Sequence, residues 1–222
     1  MRKHQTSMIN SLVHLNRIPS WRRYFLGGRY EDSVTVGKYK VEFNDTPKDL
    51  EMFFWNTENP CITMVLSKED NIAVLNRLEY NEGCTIDGKM KRGKDTRDMI
   101  FFAIDLIKRK GAKSVQLTDN STIQCNGKTI RLGLMYFFKF GKTWYETLGF
   151  EPMNYKEEYT KAKAVQKTLN LKNEPCDYFT NSVLNKLILQ TGFVFLNDMS
   201  WELLLNPSSR VLMNRTQRIR MS

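Results

Sequence analysis

The chain is predicted to fold as a mixed α/β (α+β) protein, a sheet with one parallel crossover, flanking helices and a helical C-terminal segment. Three observations predict it. Strand-like stretches stand at 34–43, 61–66 and 71–80, the first alternating in the strand period. The strongest amphipathic stretch, "DTRDMIFFAIDLIKRKGA" at 95–112, precedes the strand-like "KSVQLTD" at 113–119. A strand, a helix and a second strand in that order make a right-handed crossover, so the two strands lie parallel.

Taken in order, "VTVGKYKVEF" at 34–43 reads as a strand with a kink or bulge at Gly37. "DTPKDLEMFFW" at 45–55 reads as a helix: Asp45 or Thr46 can cap it, Pro47 suits its first position, and Leu50, Phe53 and Phe54 share a face. "CITMVL" and "NIAVLNRLEY" pair through the turn "SKEDN". The 95–112 helix carries acid in its first turn, Lys108, Arg109 and Lys110 in its last, and ends at Gly111. "STIQCNGKTI" at 121–130 is a hairpin turning at Asn126-Gly127. The apolar 132–150 stretch reads as one helix closing at Gly149. Further helices are expected near 155–170, 180–190 and around "NDMSWELLL".

The organisation that follows is a basic arm at 1–30, a main domain at 31–152 and a helical extension with a basic tail at 153–222. The arm carries six Lys or Arg and no acid, and the tail from 206 carries four Arg and no acid. Thirty-four Lys plus Arg against 24 Asp plus Glu leave a net +10, which favours acidic partners. The aromatics and arginines of "WRRYFLGGRY" suit either nucleic acid or packing on the domain. The two termini also suit protein assembly partners.

Cys61, Cys84, Cys125 and Cys176 lie too far apart for a CxxC pair. With no secretory leader they are read as reduced thiols, with neither zinc nor a disulfide framework expected. The only two histidines, His4 and His14, sit in the arm, which disfavours His-based triads and metal centres. The longest apolar runs fall short of the roughly 20 residues of a membrane span. A soluble cytoplasmic protein is expected.

"WYETLGF" at 144–150 ends the helix that comes after the second parallel strand, and "KMKRGKDTRD" at 89–98 precedes the crossover helix. In these two places and in their order the chain resembles the GCN5-related N-acetyltransferase (GNAT) superfamily. That resemblance spans about residues 34–152. It implies that Arg92, Gly93, Lys94, Asp95 and Thr96 form the loop and helix start that hold the pyrophosphate of acetyl-CoA. It also implies that Tyr145 protonates the departing thiolate, and that a carboxylate near the first parallel strand, Glu79 or Glu82, deprotonates an amine substrate. Read without the resemblance, Tyr145 is equally a core aromatic and Glu79 a solvent-facing strand residue. Asp119 is a further base candidate.

The chain departs from the family pattern in placing Asp95 and Arg97 where small residues are usual, and Phe138 and Gly141 where asparagine and alanine are frequent. The stretch "QLTDNSTIQCNGKTIRLGLMYFFKFGKTWYE" at 116–146 is also similar to acetyltransferase-like proteins of large DNA viruses. Two functions are therefore expected as alternatives. One is an acyl-CoA-dependent N-acetyltransferase, acting in a host cytoplasm if viral. The other is a non-catalytic structural component of a virus particle that keeps the fold.

Overall fold

The computed structural model describes residues 32–55, 59–91 and 93–205. The basic arm, the tail from 206 and Arg92 lie outside these described residues.

Ten strands and four α-helices are present among them. The strands are β1 (Asp32–Val36), β2 (Tyr39–Asp45), β3 (Asp49–Trp55), β4 (Pro60–Ser67), β5 (Ile72–Leu78), β6 (Ser114–Thr118), β7 (Thr122–Cys125), β8 (Lys128–Arg131), β9 (Glu151–Pro152) and β10 (Ser200–Leu204). The helices are α1 (Lys94–Arg109), α2 (Leu132–Phe140), α3 (Lys156–Gln166) and α4 (Asn181–Thr191). An eight-stranded sheet runs β1-β2-β3-β4-β5-β6-β10-β9, with β7-β8 as a separate hairpin. Its pairs are antiparallel except β5–β6, which is parallel as the crossover requires.

The crossover helix α1 folds as its pattern predicts. Met99, Ile100, Ala103, Ile104 and Ile107 are sealed from solvent, and Phe102 meets the Tyr39 ring of β2 at 5.4 Å and the Phe54 ring of β3 at 6.0 Å. Burying each large apolar side chain of that stripe contributes on the order of 2 kcal/mol, which is what fastens the helix to the sheet. Lys110 continues into Ala112 through helix-ending backbone bonds to Leu106 and Ile107.

Four expectations are corrected. Residues 49–55 are a strand, not a helix, because Leu50, Met52 and Phe54 are buried in alternation. The capping signal at Thr46 is real but closes a turn, its hydroxyl accepting from the Asp49 amide at 2.9 Å. The 34–43 stretch is two strands, since Gly37 at φ +61° turns the chain into a β1–β2 hairpin.

The single helix expected over 132–150 stops at Gly141, whose left-handed φ of +70° lets its amide reach the Phe137 carbonyl at 2.7 Å. A Cβ there would fall 2.6 Å from Gln166 Oε1, so the Gln166 side chain, at the end of α3, would have to move. A separate 3-10 turn at Tyr145–Leu148 follows. Around "NDMSWELLL" the chain forms β10, with Trp201 and Leu203 buried, where a helix was expected. Pairing on the open edge of β6 decides this, and helix propensity yields to it. The 153–205 segment thus supplies α3 and α4 and then a strand inserted between β6 and β9.

The cysteines are also corrected. Cys61 bonds Cys84 and Cys125 bonds Cys176, with Cα separations of 6.0 and 5.8 Å. Residues 23 and 51 apart in sequence meet, which spacing alone does not reveal. By chain-entropy arguments, closing loops of these lengths stabilises the fold by about 3 and about 4 kcal/mol.

Candidate functional site

β5 and β6 pair at only three positions, Ile72↔Ser114, Ala73↔Val115 and Val74↔Gln116. Beyond them β5 stays with β4, through Arg77↔Thr63 and Leu78↔Ile62, while β6 stays with β10, through Leu117↔Trp201 and Thr118↔Ser200. The parallel strands therefore part toward their carboxyl ends. A register shift between Thr63 and Met64 on β4 accompanies the divergence. The crevice at the carboxyl ends of parallel strands is where open α/β sheets take ligands.

The segment from β5 to α1 is held in place from several sides. The Cys61–Cys84 bridge ties it to β4, and the Tyr80 hydroxyl donates to the Met90 carbonyl at 3.1 Å. Gly93 precedes α1 at φ +85°, a conformation that favours glycine. Asp95 then folds back, and its Oδ2 accepts from the Lys91 amide at 2.6 Å while Oδ1 lies 3.4 Å from Lys38 Nζ. The amide bond, with the Lys38 charge behind it, holds this carboxyl below its ordinary range. The Lys91 amide, three residues ahead of α1, is thereby capped by the chain's own carboxylate. Lys94 is exposed, and the Thr96 hydroxyl is buried with no partner.

Tyr145 sits in the 3-10 turn after α2 and is 6% exposed. Its ring packs edge-to-face on Trp144 at 5.2 Å and Phe150 at 5.7 Å. Burial, and after it the charge of Asp119, pushes its phenol far above the usual range, so it stays protonated at physiological pH. The turn is braced by Glu146, which accepts from the Tyr159 hydroxyl at 2.7 Å and from Lys163 at 3.0 Å. Arg97, in the first turn of α1, donates to the Thr147 hydroxyl at 2.9 Å. That bond brings the predicted cofactor loop and the predicted catalytic turn together.

No family model matches the chain, and no curated protein or solved structure matches it either. The assignment of chemistry rests on the residues alone.

Glu79 is not drawn toward Tyr145 by any bond among the described residues. It is exposed just past β5, its carboxylate taken by the Arg77 guanidinium and its amide by the Cys61 carbonyl at 2.8 Å. Asp119 is placed more suggestively, at the end of β6 beside α2. Its Oδ1 accepts from the Ser121 amide at 3.0 Å, while Oδ2 is sealed from solvent with no partner and abuts Gly133, leaving no room for a Cβ there. A cavity of about 20 Å³, room for about one water, is lined by Asp119, Gly133, Phe137 and Thr143.

Burial raises the Asp119 carboxyl, outweighing the Ser121 bonds. A carboxyl whose folded pKa exceeds its unfolded value stabilises the fold below the unfolded pKa, and that stability is lost as pH rises through the folded pKa. Urea denaturation across pH is therefore expected to show the native chain losing stability above the ordinary carboxyl range relative to Asp119→Asn. Parallel pH profiles for the two chains would contradict it.

Sequence reasoning missed Lys38, the Arg97–Thr147 bond and the Glu146 brace. Each joins residues from different elements, 13 to 57 positions apart, and no local pattern signals them. Among the described residues no cluster of His, Cys, Asp or Glu could hold a metal, and no helix is long and apolar enough to cross a membrane.

Proposed function

We propose that the chain is an acyl-CoA-dependent N-acyltransferase acting on an amine. The observation that carries this reading is the divergence of β5 and β6, bordered by the start of α1 and linked through Arg97–Thr147 to the turn that holds Tyr145. The thioester supplies an activated acyl carbon, and the diverging strands offer backbone amides to orient it and polarise its carbonyl. Gly93, Lys94 and Thr96, with Lys91, are the described residues that would hold the pyrophosphate. They fit it once the Asp95 carboxylate leaves the Lys91 amide. Arg92 of the predicted set lies outside the described residues.

In this reading the amine attacks the acyl carbon, the carbon–sulfur bond breaks, and Tyr145 gives its proton to the sulfur. Burial keeps that proton on the phenol and makes it a weaker acid than an exposed tyrosine, so the transfer requires the thiolate to form directly beside it. A base must take the proton lost by nitrogen. Glu79 meets this need only if it releases Arg77, and water at the open strand ends is the other acceptor.

Asp95 favours a second reading, in which the fold is kept without catalysis as an assembly component. A carboxylate on the Lys91 amide repels a phosphate from the same place. Calorimetry with acetyl-CoA separates the two. Removing this charge in Asp95→Ala is expected to tighten binding about tenfold, an effect of roughly 1.4 kcal/mol typical of a close charge in this setting. Micromolar binding by the native chain supports the enzyme. Binding by Asp95→Ala alone supports the assembly reading, and silence from both chains removes acyl-CoA from the account.

A further inference from the structure

We propose that Cys176 is the entry point for thiol–disulfide exchange on this protein, opening and closing the Cys125–Cys176 bridge while Cys61–Cys84 stays out of reach. The inference rests on how unlike the two bridges are in their surroundings. Cys61 and Cys84 are both 1% exposed, under the sheet and the loop that leads to α1. Cys125 is likewise buried, at the end of β7. Cys176 alone is exposed, opening a 3-10 turn at Cys176–Tyr178 with exposed Pro175 and Asp177 beside it.

Exchange needs a thiolate to approach one sulfur in line with the disulfide, so access decides which sulfur is attacked. In the opening direction a partner thiolate bonds to Cys176 Sγ and the Cys125 sulfur leaves with the electron pair of the broken bond. A second thiol, on the same dithiol partner or on a second molecule of a monothiol, then displaces the Cys176 sulfur, and the couple leaves as a disulfide, oxidised by two electrons. Closing runs in reverse: a partner disulfide first bonds to Cys176, and the Cys125 thiolate then displaces it, so the partner leaves as the dithiol. The partner is defined by this chemistry as a thiol–disulfide couple, either a small molecule or a dithiol protein.

The surrounding contacts suit a bridge that opens without scattering its ends. Asn126, beside Cys125, donates to the Asp177 carboxylate at 3.0 Å, and Asn181 donates to the Thr129 carbonyl at 3.0 Å. These bonds join the β7–β8 hairpin to the segment entering α4 independently of sulfur. They keep the two thiols adjacent for reclosure. The buried bridge has a different task, since it ties the loop before α1 to β4.

The test uses the full chain isolated with N-ethylmaleimide and no reductant, then exposed to a glutathione redox buffer or, separately, to a CxxC dithiol protein. Alkylation and peptide mass spectrometry follow with time. The expected result is two bridges at the start, then free Cys125 and Cys176 at least about tenfold sooner than free Cys61 and Cys84, because the buried pair must await local opening. In Cys125→Ala the mixed disulfide is expected on Cys176. Exchange in the glutathione arm assigns a small-molecule couple, and exchange only with the dithiol protein assigns a protein partner. Four free thiols in the isolated native chain, or equal opening of both bridges, would overturn the proposal without recourse to the variant. An adduct on Cys125 in native chain caught mid-reaction would do the same.

Discussion

Tyr145→Phe is expected to lower turnover by about a hundredfold or more, the usual range for removing a general acid, while leaving substrate binding nearly unchanged. Stability should move by no more than about 1 kcal/mol, because the ring that packs on Trp144 and Phe150 remains and only a hydroxyl is lost. Single-turnover acyl transfer and urea denaturation on the same preparation measure both. A fall in stability with no fall in rate would assign Tyr145 to the core and remove its catalytic role. The substitution thus separates the two roles that a buried tyrosine in an aromatic turn can play.

Phe137→Ala is expected to have the largest effect on stability. Phe137 is fully buried on α2, and its ring meets Phe138 at 5.6 Å, Tyr159 of α3 at 5.4 Å and Phe193, just beyond α4, at 6.4 Å. Truncating a buried phenylalanine costs about 3–5 kcal/mol. A chain of this size should lose roughly 6–20 °C in Tm for that change. Because the ring of α2 packs on α3 and on the residue that follows α4, the denaturation should remain a single transition at lower stability. Two separated transitions would mean that residues 153–205 unfold apart from the sheet.

Periodicity made α1, the β4–β5 pair, the β7–β8 hairpin and the parallel crossover legible in the sequence, because each is specified by neighbours within one element or one turn. The 49–55 strand was obscured by adjacent Phe53 and Phe54, which imitate a helical face when only Phe54 is buried. β10 was obscured because its alternating Trp201 and Leu203 sit among residues of good helix propensity. Its strand state is imposed by β6, more than 80 positions away by the Gln116–Glu202 hydrogen bond. The cysteine pairings are hidden for the same reason.

The candidate site divides along the same line. "WYETLGF" singled out Tyr145 from local pattern, though as the end of a helix, and the Arg97–Thr147 bond that joins its turn to α1 had no sequence signal. Glu79 was chosen for its position in the chain, and its neighbour Arg77 engages it on the surface. The capping of the Lys91 amide by Asp95 was legible only as a misplaced carboxylate. Its geometry depends on how the loop returns on itself and on Lys38 from the β1–β2 turn.

The insertion of β10 between β6 and β9 also sets the order of events during synthesis. Among the described residues β9 meets the sheet only through β10, at Trp201↔Pro152 and Glu202↔Glu151. Until residue 204 has cleared the ribosome, the β6 edge is bare, and the strand just past the Tyr145 turn has nothing to pair with. A nascent chain stalled before that point should expose an unpaired edge prone to wrong partners. Among the described residues the strand made last is therefore the one that joins β9 to the rest of the sheet.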